Sequence, residues 1–155
     1  MTKRSVVHAT FTVERNYDFP PARVFDAFAD TAAKRRWFAE GDGWTIEEFV
    51  ADFRPGGFER SRFRFRDGPP MRNDTVYQDI VPNERIIIAY SMMFGEDRIS
   101  SSLATMEFKP AGKGTRLVLT EQGAYLDGHD NVPQREEGTR GLLEALALEL
   151  KRKSS

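Results

Sequence analysis

Residues 21–38 read PARVFDAFAD followed by TAAKRRWF, and they predict two short helices in succession. Val24, Phe25 and Phe28 recur at helical spacing, so one face of the first helix is apolar. Asp30 interrupts this pattern and is a typical N-cap residue, which favours a new helix over the second half of the stretch. Two consecutive short helices near the start of the chain are the first constraint on the fold.

Strand-like segments surround these helices on both sides. The segment before them runs from Val6 to Phe19, where Phe11 and Val13 alternate with polar residues as in a half-buried strand. Six further segments follow, separated by turns rich in Pro and Gly: Trp44–Phe53, Phe58–Arg66, Arg72–Val81, Arg85–Phe94, Ile99–Lys109 and Thr115–Gln122. Strands joined by short turns favour an antiparallel meander.

The end of the chain predicts one long amphipathic helix. After a predicted loop over residues 123–132, the helical pattern runs from Pro133 or Gln134 to Lys151. Leu143, Leu146 and Leu150 lie at spacings that form one stripe, which we expect to pack on the concave face of the sheet. The element order therefore predicts an α+β fold, a curved antiparallel sheet of about six or seven strands around a C-terminal helix.

Composition excludes several classes of protein. The chain has 155 residues, which suits a single domain over 1–155, and its formal net charge of −1 predicts neither a nucleic-acid nor a membrane partner. No apolar stretch approaches the roughly 18 residues of a spanning helix, and no signal core follows the first residues. A cytoplasmic location is the expectation. The twelve Phe, four Tyr and two Trp either fill a core or line a pocket.

Five motifs in order resemble one known superfamily. They are the segment from Pro21 to Asp30, Trp37-Phe38, Arg54-Pro55-Gly56-Gly57, Val81-Pro82-Asn83-Glu84-Arg85-Ile86 and Gly114-Thr115-Arg116-Leu117. In this order they resemble the SRPBCC superfamily, which includes the START and birch-pollen-allergen proteins. The closest branch is named after the activator of the heat-shock protein 90 ATPase. The resemblance implies a helix-grip fold over roughly residues 11–150.

The resemblance leaves the function open between a binding protein and other classes. The superfamily spans ligand carriers, cyclases and chaperone partners, so fold alone decides little. We expect a small apolar or aromatic molecule in a cavity between the sheet and the last helix. A chaperone ATPase regulator and a cyclase- or hydrolase-like enzyme are the alternatives, and a homodimer stays open. The named activators carry an additional N-terminal domain, which we do not expect here because the first strand pattern begins almost at residue 1.

The sequence at the start of the last helix differs from that of many members of this branch. Many members carry Gly-Trp at the start of the last helix, whereas here Gly138 is followed by Thr139. The resemblance would put that tryptophan at the cavity lid, so the ligands of Gly-Trp members do not transfer to this chain.

Candidate ligand-binding residues are aromatic or apolar side chains on segments expected to meet at one end of the sheet. They are Trp37, Trp44, Phe63, Phe65, Tyr77, Tyr90, Met92, Phe94, Tyr125 and Leu143. Pockets are mostly apolar with a few polar groups, and Tyr supplies both. We expect Trp37 near the cavity mouth, because it ends a short helix and its N–H needs a partner or water.

Catalytic and cofactor motifs are not found in the sequence. The chain has no cysteine, and His8 and His129 lack metal-binding spacing, so we expect no metal site. Glycine-rich phosphate loops and nucleophile elbows are missing too, so no cofactor is predicted. Glu107 and Glu121 interrupt apolar strand patterns and are the acids to inspect for acid–base chemistry, although solvent exposure is the expectation for both.

Arginines alternate along the third predicted strand and share one face by strand parity. They are Arg60, Arg62, Arg64 and Arg66. A cationic wall for a carboxylate ligand is one interpretation. The favoured interpretation is an outer face paired with Glu47, Glu48 or Asp74, because unpaired arginines are costly to bury.

Overall fold

The computed structural model describes residues 4–152, so both ends of the predicted 1–155 domain lie outside the described residues. A seven-stranded sheet forms its body, in the order β1-β7-β6-β5-β4-β3-β2. The strands are β1 (Val6–Tyr17), β2 (Trp44–Ala51), β3 (Phe58–Phe65), β4 (Met71–Val81), β5 (Arg85–Phe94), β6 (Asp97–Ala111) and β7 (Gly114–Leu126). All pairs are antiparallel, so β2 to β7 form a meander and β1 closes against β7.

Helices connect the two edges of this sheet and cover its concave face. Helix α1 spans Pro21–Ala29, α2 spans Thr31–Lys34 and continues as a π-helical turn over Arg35–Ala39, and α3 spans Val132–Leu150. The Asp30 carboxylate accepts hydrogen bonds from the backbone N–H groups of Ala32 and Ala33 at 3.0 and 3.2 Å. This N-cap confirms the predicted break between the two short helices. The α+β helix-grip prediction is confirmed as a whole.

Most boundaries differ by one or two residues, and two elements differ more from those predicted. Strand β7 continues to Leu126, where the sequence predicted a loop over 123–132, and Leu126 pairs with Val6. Because β7 lies between β1 and β6, its backbone is hydrogen-bonded on both sides, which overrides the weak local pattern. The second short helix is α-helical for one turn only and then widens into the π-helical turn.

The core lies where α3 and α1 meet the concave face. Leu143, Leu146 and Leu150 are 2%, 0% and 2% exposed, which confirms the predicted stripe. The Tyr17 hydroxyl donates a 2.8 Å hydrogen bond to the Leu143 carbonyl and ties β1 to the helix. The fully buried leucines of α3 therefore all lie in its second half. No helix within residues 4–152 is long and apolar enough to cross a membrane.

The Arg54–Gly57 turn is docked on β4, as its glycines require. Gly56 has a φ of +81°, and a Cβ on Gly57 would lie 2.1 Å from the Asp52 carbonyl oxygen. The Gly56 N–H donates to the Tyr77 carbonyl at 2.8 Å, and the Tyr77 N–H donates to the Gly57 carbonyl at 2.9 Å. This pairing fixes the position of Tyr77 beneath the cavity described below.

We predict that Leu146→Ala lowers the free energy of unfolding by about 2–5 kcal/mol, because it removes a fully buried side chain and leaves a void. Leu148, on the opposite side of α3, is 71% exposed, and Leu148→Ala should change that free energy by less than about 0.5 kcal/mol. Urea titration of both variants measures the difference. Equal losses in the two variants would contradict the placement of the core.

Candidate ligand-binding cavity

A cavity of about 850 Å³ lies between the concave face of the sheet, the π-helical turn and the part of α3 from Gln134 to Ala145. Strands β3 to β7 supply its floor, and Gln134, Gly138 and Leu142 recur every fourth residue along the α3 wall. Exposed lining residues mark its opening, among them Trp44 and His129. The cavity exists because the leucine-rich half of α3 packs closely, whereas the half that carries Gly138 does not.

The structure brings most of the predicted ligand-binding residues to this cavity. Those that line it are Trp37, Trp44, Phe63, Tyr90, Met92, Phe94 and Leu143. Phe65, Tyr77 and Tyr125 lie outside its lining, which corrects their placement. Phe65 is 41% exposed and packs on Trp44 with ring centroids 4.9 Å apart. Tyr77 and Tyr125 are 2% exposed and lie behind the lining, where they support it.

The prediction that Trp37 lies at the mouth is wrong. Its side chain is 6% exposed, and its indole N–H donates a 2.8 Å hydrogen bond to the Ala27 carbonyl. The ring packs edge-on against Phe28 at 4.9 Å, so Trp37 joins the helical core to the inner wall. Trp44 lies at the opening instead, with 37% of its surface exposed. Of the two alternatives expected for the indole N–H, a protein partner or water, the structure has a protein partner on α1.

Two polar clusters face the cavity, and the first, the Lys34 cluster, consists of Lys34, Glu59 and Tyr77. The Lys34 ammonium lies 2.9 and 3.1 Å from the two carboxylate oxygens of Glu59. The Tyr77 hydroxyl donates to Glu59 Oε1 at 2.8 Å. Lys34 and Glu59 are 5% and 3% exposed, so the ion pair is buried. Burial, and then the Glu59 charge, raise the pKa of Tyr77 above its ordinary range.

The second cluster, the Arg135 cluster, consists of Arg135, Tyr90, Ser100, Glu121 and Asp130. Nη1 of Arg135 lies 2.9 Å from the Tyr90 hydroxyl and 3.4 Å from Glu121 Oε2. Its Nη2 donates to Ser100 Oγ at 2.7 Å and to the Asp130 carboxylate. The Tyr90 hydroxyl donates to Glu121 Oε1 at 2.7 Å. One guanidinium therefore joins α3 to three strands and to the loop that precedes the helix.

Glu121 is buried, so the expectation that it faces solvent is wrong. It is 3% exposed and lines the cavity. Burial raises the pKa of its carboxyl above the ordinary value of 4.5, although the Tyr90 hydrogen bond and Arg135 act in the opposite direction. Burial, followed by the Glu121 charge, also raises the pKa of Tyr90. Glu107 does face solvent, as expected, with its carboxylate 3.8 Å from the Lys109 ammonium.

Sequence reasoning did not single out Arg135, Lys34, Glu59 or Asp130 as site residues. Strand parity could have found Glu59, since it lies two residues before Ser61 on the face that carries Phe63. No local pattern indicates that Arg135 reaches across to β5, β6 and β7.

The alternating arginines of β3 face away from the cavity, as favoured. Arg62 and Arg64 lie 3.5 and 3.7 Å from Glu48 and Glu47 on β2. The Arg60 guanidinium lies 4.7 Å from the centre of the Phe58 ring. The fourth arginine of the pattern, at position 66, follows the strand with a φ of +52° and takes no part in this face.

His8 and His129 are both exposed, and His129 lies at the cavity opening. Within residues 4–152, no three side chains of the His, Cys, Asp and Glu types come together as metal ligands would. Asn73 is 7% exposed and lines the cavity, where its side-chain oxygen accepts a 3.1 Å hydrogen bond from Thr75. The buried polar groups that face the cavity therefore include the Asn73 amide and two charge clusters.

Comparison with known families identifies the chain. The family described as "Activator of Hsp90 ATPase homolog 1-like protein" matches residues 18–151. The chain belongs to this family. The match confirms the resemblance seen in the five sequence motifs. No curated protein matches the sequence.

Solved structures that are similar to this chain have the same fold. The Mll3558 protein from Rhizobium loti is 56% identical, over 94% of this chain and 99% of that chain, with a TM-score of 0.87. A protein from Rhizobium leguminosarum is 46% identical, over 98% and 100% of the two chains, with a TM-score of 0.93. CalU16 from Micromonospora echinospora is 18% identical, over 96% and 85%, with a TM-score of 0.64, and shares the fold.

We predict that Lys34→Met lowers the free energy of unfolding by about 3–5 kcal/mol, because Glu59 is then a buried charge without its cation. The double variant Lys34→Met, Glu59→Gln should recover much of this loss, since glutamine can still accept from Tyr77. Urea unfolding at neutral pH compares the three proteins. A loss below about 1 kcal/mol in the single variant would show that Glu59 finds water or another partner.

The raised pKa of Glu121 predicts a defined pH dependence of stability. The native state holds the proton to higher pH than the unfolded chain, so the free energy of unfolding falls as pH rises above 4.5. Glu121→Gln removes this contribution, so wild type should lose stability relative to the variant as the pH rises above 4.5 and until the native carboxyl is ionised. Glu107→Gln, at a solvent-facing site, is the control. A difference from wild type that stays constant over this range would contradict the pKa shift.

Proposed function

We propose that this protein binds a small, largely apolar molecule in the cavity between the sheet and α3. The observation that carries the proposal is the cavity volume of about 850 Å³, walled mainly by apolar side chains. Ligand pockets typically measure about 300–1,000 Å³ and combine apolar walls with a few placed polar groups. Met92, Leu119 and Leu142 provide such walls, and the Lys34 and Arg135 clusters provide the polar groups.

The opening supports the same proposal. Trp44 and Phe94 are 37% and 45% exposed and also line the cavity. Exposed aromatic side chains at an entrance offer an apolar molecule a continuous path from the surface to the interior. A molecule bound there would change the surroundings of Trp44 directly, and those of Trp37 from the inner wall.

A reaction in the same cavity is the second candidate, and Glu121 favours it. Burial raises the pKa of the Glu121 carboxyl, as it does for many general acids and bases, and the Tyr90 hydroxyl lies 2.7 Å from Glu121 Oε1. A cyclase- or hydrolase-like step would use this pair. Turnover of an ester, epoxide or polyketide-like substrate that Glu121→Gln abolishes would support this candidate. Regulation of a chaperone ATPase rests on the family description alone.

The binding proposal can be tested with two matched glycine variants on α3. A Cβ added at Gly138 or at Gly141 meets no atom within 4 Å, but only Gly138 lines the cavity. Gly138→Phe should therefore fill the cavity, whereas Gly141→Phe should leave it open. Both substitutions remove a helix-interior glycine, so neither is expected to weaken the helix itself.

We predict saturable binding of the neutral fluorescent probe N-phenyl-1-naphthylamine to wild type. Its affinity should fall at least about tenfold in Gly138→Phe and stay within about twofold in Gly141→Phe, because only the first side chain occupies the binding volume. Fluorescence titration gives the three dissociation constants, and circular dichroism confirms that all three proteins are folded. The absence of saturable binding to wild type, or an equal loss in both variants, would refute the proposal.

A further inference from the structure

We infer that the cavity accepts ligands whose polar head donates hydrogen bonds and carries no negative charge, such as an alcohol or an amine, and rejects the corresponding carboxylic acids. This inference rests on the proposed binding function and specifies its ligand class. It follows from the hydrogen bonds of the two charge clusters, in which the cationic donors are occupied and a carboxylate keeps unused acceptors.

Both cations that line the cavity are occupied by partners from within the protein. The two terminal nitrogens of Arg135 contact Tyr90, Ser100, Glu121 and Asp130. Its side chain is 12% exposed, so it has little surface left for a ligand. An arginine that already joins two carboxylates is a poor receptor for a third, because fork-shaped carboxylate binding needs free N–H donors.

Lys34 is occupied in the same way. Its ammonium contacts both oxygens of Glu59, at 2.9 and 3.1 Å, and lies 4.8 Å from the centre of the Phe38 ring. An ammonium has three donors, and the carboxylate and the aromatic face account for them. A ligand carboxylate in the cavity would therefore be removed from water without gaining a free cation, which is strongly unfavourable.

The carboxylates, by contrast, keep unused acceptor capacity. Glu121 Oε1 accepts one hydrogen bond, from Tyr90, and Oε2 has one long contact of 3.4 Å, to Arg135. Each carboxylate oxygen can accept two. With Glu121 ionised, the Arg135 cluster holds two negative charges against one positive charge. An O–H or N–H head would complete the acceptors of Glu121, and an ammonium would also balance the charge.

The position of Glu121 fits this role. It lines the cavity beside the apolar side chains of Leu119 and Met106, so an apolar ligand body and a donating head can be accommodated together. Asn73, also in the lining and nine-tenths buried, adds a neutral polar contact on β4. Neither Lys34 nor Arg135, the two cationic side chains of the lining, is therefore left free to bind an anion.

Three probes that share one ring system test the inference: 1-pyrenemethanol, 1-pyrenemethylamine and 1-pyrenecarboxylate. We expect the alcohol and the amine to bind wild type at least about tenfold more tightly than the carboxylate at neutral pH, measured by energy transfer from tryptophan to pyrene. Glu121→Gln should reduce the advantage of the amine over the carboxylate, and Glu107→Gln, outside the cavity, should retain it. Circular dichroism again verifies folding.

The outcomes distinguish failure of the inferred ligand class from failure of the proposed binding function. Carboxylate affinity equal to or above that of the alcohol and the amine would overturn the inference and leave the binding function standing. An unchanged preference in folded Glu121→Gln would also overturn it, because the selection would then come from elsewhere. Failure of all three probes to bind, together with failure of N-phenyl-1-naphthylamine, would overturn the proposed function itself.

Discussion

The packing of α3 against the sheet along only half of its length is the constraint from which the cavity follows. Leu143, Leu146 and Leu150 are buried at 2% exposure or less, and all lie in the second half of the helix. In the first half, Gly138 lines the cavity, and a Cβ added there would meet nothing within 4 Å. Protein interiors are normally close-packed, so an unfilled space of this size persists only between walls that are held apart.

Ionic contacts hold those walls at both ends of the helix. Arg135, near the start of α3, joins Tyr90, Ser100 and Glu121 on three different strands. Near its end, Glu149 accepts hydrogen bonds from Arg36 at 3.0 and 2.8 Å, which ties the helix to the π-helical turn. A helix anchored at both ends cannot rotate or settle onto the sheet without breaking charge-assisted hydrogen bonds, which are about twice as strong as neutral ones.

Local patterns predicted the fold because its determinants are local, whereas the site depends on distant contacts. The stripe around Leu146 and the Asp30 cap are readable within a few residues, and the structure confirms both. Glu121 shares strand parity with buried Leu119, and this parity indicates burial. The general rarity of buried acids favoured exposure instead, and that expectation was wrong. The reach of Arg135 across three strands, and the carbonyl on α1 that receives the Trp37 N–H, arise only from the tertiary arrangement.

The buried charged residues differ in role: the Lys34–Glu59 pair is explained by structure, whereas Glu121 is explained by the proposed ligand binding. The Lys34–Glu59 pair connects α2 to β3, which explains its burial in structural terms. Glu121 also connects two elements through Arg135, but burial raises its pKa and so costs stability above pH 4.5, while an apolar residue beside Leu119 would carry no such cost. The fold itself persists at 18% identity in CalU16 and does not require one particular polar group. Departures from the most stable choice are characteristic of functional positions, so the carboxylate at residue 121 is best explained by what it faces in the cavity.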